Sequence, residues 1–364
     1  MAIALAKVPT GDFFGVMRIV REDFALTVLR DPLRERAISM RRRTFLTGIG
    51  GLAAAGMAGR LAVDWHEQGW RSPVVIASAA SYQVDLEATI RDGLIELEFG
   101  PARIRGKSIL LKPNLVEPHA DAPQINTHPA VVRAAAEVFR GWGAREIFVA
   151  EGPGHCRDAQ LVLEQSGMED VLTESRLEFV DLNHDDVVLV PNRFRRTSLP
   201  HLALPATLKR ADLIVSIPKM KTHHWAGVTL SMKNLFGVLP GIYYGWPKNV
   251  LHHAGIGRSI LDITAAVKPH LAIVDGIIGM EGDGPIMGTP KHAGILVMGT
   301  NLPAVDATAS RLMGINPWRI EYLAGASGRL GPIAERHIEQ RGESIAGLAQ
   351  PFELLDQLEV ALRG

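Results

Sequence analysis

The sequence predicts an α/β protein, with alternating strands and helices around a largely parallel sheet and room for two α/β lobes with a pocket between them. Three observations carry that prediction. Short β-branched apolar runs alternate with amphipathic stretches from about residue 71 onward. The 36 glycines and 22 prolines cluster at the ends of those segments, as turn residues do. Polar side chains recur where predicted strands end: Lys112 and Asn114, Glu151, Lys219 and Lys221, Asp275, and Asn301. In parallel sheets ligands bind beyond the carboxyl ends of the strands, so this repetition points to one convergent pocket.

Taken in order, residues 74–77 read as a strand and 85–99 as a helix, with Leu86, Ile90, Leu94, Ile95 and Leu97 approximating one face. A strand at 108–111 leads to Lys112-Pro113-Asn114. A helix then runs from Pro129 to Trp142, with Thr127 or His128 near its cap and Pro129 in the first turn. Strands are expected at 147–150, 179–182 and 187–190, with a helix at 159–165. Arg193, Arg195 and Arg196 fall in a loop that reads better as a solvated face than as an anion site. After a strand at 213–217 come a helix at 257–267, a strand at 271–274, a glycine-rich loop at 279–288, a strand at 295–298 and a helix at 303–313. The remainder reads as a helical or irregular tail, residues 321–364.

The stretch 213–240 concentrates the polar chemistry. A buried-strand pattern breaks at Pro218 and opens into Lys219, Lys221, Thr222, His223, His224 and Trp225; a second apolar segment then delivers Lys233 and Asn234. Lysines and histidines on apolar segments are costly to bury without partners. Lys112, Lys219, Lys221 and Lys233 could bind an anionic small molecule as point charges, or one could act as a base or imine-forming amine. The alternative is that some of them pair with Asp275, Glu281 or Asp283. We read Lys219, Lys221, His223 and Lys233 as candidate catalytic residues, and Lys112, Asn114, Thr222, Asn234 and Asn301 as ligand-binding ones.

The cofactor stays open, with a divalent metal as one candidate. His128, His223, His224, His252 and His253 are the imidazoles available, and successive residues of a strand point to opposite faces, so at most one of each adjacent pair would be a ligand. The metal candidates are His223, Asp275 and Glu281. No H-E-x-x-H spacing, phosphate-binding loop, nucleophile elbow or dinucleotide fingerprint is present. Cys156 is the single cysteine, which excludes an intrachain disulfide and an iron–sulfur cluster ligated by this chain alone. A net charge of zero argues against a nucleic-acid partner.

Arg42-Arg43-Thr44-Phe45-Leu46, ahead of a small, glycine-rich apolar stretch, resembles the core of a twin-arginine export signal, with Thr47 where lysine is usual. Residues 40–65 are therefore expected to be a signal read by the twin-arginine translocase, leading to a periplasmic or other extracytoplasmic location. Met40 stands directly before the arginines as an initiator would, so 1–39 reads as a non-translated or disordered extension.

Residues 70–320 resemble the domain-of-unknown-function 362 family. The matching pieces are Lys112-Pro113-Asn114, Thr127-His128-Pro129, the run from Pro218 to His223, and Gly227-Val228-Thr229 leading to Lys233-Asn234-Leu235-Phe236-Gly237. Asp275-Gly276, Glu281-Gly282, Gly284-Pro285, Gly288 and the segment from Asn301 to Asp306 complete them. Many members of that family also carry a ferredoxin-like cluster domain, and the single cysteine marks a departure from them. A fainter analogy runs to nickel-pincer lactate racemases, which also use lysine and histidines between α/β lobes. The resemblance leaves open an enzyme, a periplasmic ligand-binding or cofactor-carrier protein, and a redox-associated partner of an iron–sulfur protein. It leaves the oligomeric state open too.

Overall fold

The computed structural model describes residues 71–154 and 158–363. The stretch 40–65 expected to be an export signal, the residues before it, His155 and Cys156 lie outside the described residues. The strands are β1 (Ser72–Ser78), β2 (Ser108–Pro113), β3 (Glu146–Glu151), β4 (Glu178–Asp181), β5 (Val187–Pro191), β6 (His201–Pro205), β7 (Leu213–Ile217), β8 (Lys219–His223), β9 (Gly227–Thr229), β10 (Leu271–Glu281), β11 (Thr289–Gly299) and β12 (Ile338–Gly342). Ten of them form one sheet in the order β12-β1-β11-β10-β7-β2-β3-β4, with β8 paired to β10 and β9 beside it; β5 and β6 make a separate hairpin. From β10 through β7, β2 and β3 to β4 every pairing is parallel, while β11 runs antiparallel to both β10 and β1.

The central strands are buried on both faces, which is why they read as unbroken apolar runs. Ile109, Leu111, Val149 and Val215 pack into one core layer; Leu110, Phe148 and Ile214 face the other. The helix expected from Pro129 spans Pro129–Gly141, and His128 caps it by accepting from the Ala130 N–H at 3.2 Å. Among the described residues no helix is long and apolar enough to cross a membrane.

Four features depart from the sequence reading. The sheet is continuous where two lobes were allowed for, because the eleven-residue strands β10 and β11 join its parallel and antiparallel halves. Residues 279–281, expected in a loop, extend β10, since cross-strand pairing as far as Glu281↔Thr289 overrides the local glycine signal. Residues 201–205 form β6, folded back on β5 through a loop that the Asp262 carboxylate gathers by accepting from the N–H groups of Arg196 and Thr197. Within 321–364, Ile338–Gly342 is an edge strand parallel to β1. Its sequence, I-E-Q-R-G, has no apolar alternation to betray it, because an exposed edge needs only backbone pairing.

Pro218 is the feature that shapes the site. It ends β7 without stopping the strand direction: its carbonyl accepts the Asp275 N–H at 2.8 Å, and β8 resumes alongside β10 with Lys219 opposite Asp275 and Lys221 opposite Met280. β7 lies between β10 and β2, whereas β8 pairs with β10 and β9. Past Pro218 the sheet therefore opens between β8 and the ends of β2 and β3.

Candidate functional site

That opening holds a pocket of about 350 Å³. Its walls come from Asn114 just past β2, from Glu151 at the end of β3 and Gly152 just past it, from β8 (Lys221, His223), from Lys233 to Gly237, and from Lys248 and His252. Alternation along β8 places Lys219, Lys221 and His223 on one face and Met220 and Thr222 on the other. Met220 enters the core, and the Thr222 hydroxyl donates to the Gly282 carbonyl at 2.8 Å.

Behind the pocket Lys112 and Glu151 form a fully buried ion pair at 2.7 Å. The Lys112 ammonium also donates to the Pro113 carbonyl and to Asn234 Oδ1, while Glu151 accepts from the backbone N–H groups of Leu115 and Gly152. The Asn234 amide donates to the Lys112 carbonyl and to Ser216 Oγ, which locks the strand end to the segment after β9. Gly237 packs so tightly on this pair that a Cβ there would lie 1.9 Å from Glu151 Oε1 and 2.7 Å from Lys112 Nζ. Only glycine fits.

Among the described residues the remaining pocket amines have no carboxylate of their own. Lys221 Nζ donates to the Ile125 and Pro285 carbonyls at 2.8 and 3.2 Å. Burial, reinforced by Lys219 and Lys233, pushes it well below the ordinary lysine value. Lys248 sits in the left-handed region at φ 67°, and its ammonium donates to the Gly152 carbonyl at 3.0 Å; burial brings it down to about 7. The Lys233 ammonium lies 4.4 Å from the centre of the Phe236 ring, and burial with the nearby Lys112 charge lowers it to about 8. His223 Nδ1 accepts from the Trp225 and Ala226 N–H groups, so its proton sits on Nε2. Burial and the surrounding cations hold that ring neutral. Two buried polar atoms of pocket residues, Asn114 Oδ1 and Thr229 Oγ1, have no partner among the described residues.

The short helix Ser231–Asn234 that carries Lys233 starts on Asp306, whose carboxylate accepts from the N–H groups of Ser231 and Met232 at 2.8 and 3.0 Å. Burial raises Asp306 to about 7.

Lys219 and Asp275 belong elsewhere. They form a fully buried pair at 2.6 Å; Tyr82 accepts from Lys219 and donates to Asp275 Oδ1, and the His128 N–H donates to Asp275 Oδ2. Every polar atom there is spoken for. Asn301 is a helix cap, accepting from the Ala304 N–H and donating to the Leu330 carbonyl. It stands at the end of antiparallel β11, so its strand end faces away from those of β2 and β3.

The metal candidates do not converge. Asp275 is consumed by Lys219, and Glu281 accepts from the Glu353 N–H and pairs with Lys291 at 3.2 Å. His223 presents Nδ1 to the backbone. Among the described residues no three His, Cys, Asp or Glu side chains gather as a metal-binding group. His128, His224 and His252 are engaged with the Ala130 N–H, Asp283 and the Lys248 carbonyl.

Of the eleven residues that sequence reasoning groups together, the structure gathers Asn114, Lys221, His223, Lys233 and Asn234 at the pocket with Lys112 behind it, and sets Lys219, Thr222, Asn301, Asp275 and Glu281 apart from it. Sequence reasoning misses Lys248, Trp225, Phe236 and Asp306 as contributors. Lys248 stands alone between Pro247 and Asn249 with no periodic pattern around it, and only the fold brings it over the β3 end.

Comparison with known proteins adds the following. A thylakoid-associated protein of Synechocystis sp. is 29% identical over 231 residues, covering 62% of this chain and 68% of the relative. Among solved structures, the lactate racemase apoprotein of Thermoanaerobacterium thermosaccharolyticum aligns at 15% identity and a TM-score of 0.38, over 55% of this chain and 50% of that one. A Thermotoga maritima protein aligns at 15% identity and a TM-score of 0.35, over 62% and 58% of the two chains. This chain thus spans between half and three fifths of those solved structures. A family model, the domain of unknown function DUF362, matches residues 109–311, more than half of the chain and every residue that walls the pocket. The chain belongs to the DUF362 family.

Proposed function

We propose that the pocket binds a small anionic ligand, a carboxylate or phosphate compound, between Lys221, Lys233 and Lys248. One observation carries this reading: among the described residues three pocket lysines, Lys221, Lys233 and Lys248, with Lys112 behind them, meet a single pocket carboxylate, Glu151, and Lys112 already uses it. An anion supplies the missing counter-charge, raises the lysines toward their ordinary values and draws protons in with it. The unpartnered Asn114 Oδ1 and Thr229 Oγ1 would fix its orientation through a hydroxyl or bound water.

Calorimetric titration of the full chain with sulfate and with pyruvate tests the reading. Binding is expected with both, weakened about tenfold or more in Lys221→Met, which is about 1.4 kcal/mol. Unchanged binding in that variant would overturn it.

The twin-arginine pattern at Arg42 and Arg43 supports export by the twin-arginine translocase to an extracytoplasmic site. Replacing both arginines by lysine should hold the protein in the cytoplasm, and continued export would refute that part of the proposal.

A further inference from the structure

We propose that the ligand is a 2-oxo acid or a comparable carbonyl-bearing anion, and that the Lys233 amine condenses with its carbonyl carbon to form an imine. The inference rests on the anion-binding reading and adds the ligand's reactive group.

Lys233 differs from the other amines in what holds it. Lys112 is bound to Glu151, Lys221 to two backbone carbonyls and Lys248 to a third. Lys233 makes no hydrogen bond or ion pair with a described residue; its ammonium rests on the Phe236 ring. It can reach a ligand without giving up a hydrogen bond or an ion pair to a described residue. Its base is held firmly, because the helix that carries it is pinned at its start by Asp306. An amine in an apolar setting beside other cations is the arrangement that makes lysine a nucleophile near neutral pH, and its lowered value of about 8 agrees.

Lys221 and Lys248, fixed on carbonyl oxygens, are placed to hold the acid group as cations. A pocket of about 350 Å³ has ample room for a short oxo acid.

The chemistry balances without an oxidant. The Lys233 lone pair forms the C–N bond while the carbonyl π pair moves to oxygen, which takes up a proton. Nitrogen then loses a proton, its lone pair closes the C=N bond as the hydroxyl leaves as water with a proton lent by a neighbouring ammonium, and the resulting iminium returns its N–H proton to that neighbour. Amine and ketone become imine and water.

Reductive trapping decides the matter. The full chain is incubated with pyruvate, glyoxylate or 2-oxoglutarate and sodium cyanoborohydride, then analysed by intact mass and peptide mapping. We expect one adduct with at least one acid (for pyruvate, the mass of the acid less one oxygen) on the peptide containing Lys233. It should vanish in Lys233→Arg, which keeps the charge but cannot form the bond. No adduct with any of the three acids, or the same adducts on other lysines in Lys233→Arg, would overturn the proposal. The parallel titrations keep the two readings apart: pyruvate that binds without being trapped refutes the imine alone, whereas failure of both sulfate and pyruvate to bind removes the anion site as well.

Discussion

Lys219 and Lys221 stand two residues apart on the same face of the same strand, and both are fully buried. Around Lys219 the protein supplies everything an ammonium needs: the Asp275 carboxylate, the Tyr82 hydroxyl and the Ile278 carbonyl. Around Lys221 it supplies two neutral carbonyls and two further lysines, Lys219 and Lys233, close enough to act on it. One lysine is a finished piece of structure; the other has no carboxylate partner among the described residues. The difference arises at register. Opposite Lys219, β10 presents Asp275; opposite Lys221 it presents Met280.

The largest expected effect that would test this contrast is Asp275→Ala. It strands Lys219 without a counter-ion and should cost about 3–5 kcal/mol in chemical denaturation. A loss below about 1 kcal/mol would show that the Lys219 network is not the structural anchor described. Gly237→Ala should follow, at about 1–3 kcal/mol, because its Cβ must push the Lys112–Glu151 pair apart. It should weaken anion binding as well, since the displaced Glu151 carboxylate then competes with the ligand for Lys233 and Lys248. Lys221→Met should cost less, about 1–2 kcal/mol, the loss of two hydrogen bonds to neutral carbonyls. A cost matching that of Asp275→Ala would erase the distinction between the two lysines.

The last test is a pH dependence with a definite sign. The folded values of Lys233 and Lys248, about 8 and about 7, lie below the ordinary lysine value of 10.5. The unfolded chain therefore binds more protons in that interval. The contribution of these groups is favourable above about 10.5 and is lost as pH falls through 8 and 7. Sulfate, whose charge is constant over this range, should restore stability more strongly near neutral pH than near about pH 9. A sulfate-induced gain in Tm that is flat across that interval would count against charge-deficient lysines.

Much of this was legible in the residues. The apolar runs of the parallel strands and the Pro129 helix start follow from local patterns, because burial on both faces leaves a composition that can be read directly. The block from Lys219 to Gly237 likewise announces a site, since amines on apolar segments need a reason to be there. What stayed hidden were elements held by backbone pairing alone, such as β12, and partners joined across long sequence gaps. Tyr82 meets Lys219 across 137 residues, and Asp306 meets Ser231 across 75.

The sequence by itself determined the fold class, the family and the inventory of amines at strand ends, because propensity, periodicity and motif are properties of the chain. The tertiary structure decided which lysine is neutralised and which is left open. That outcome depends on which side chain β10 sets opposite each position of β8 after Pro218, and on Lys248 arriving over the end of β3. Charge pairing is a matter of distances between remote segments, and no local pattern encodes it.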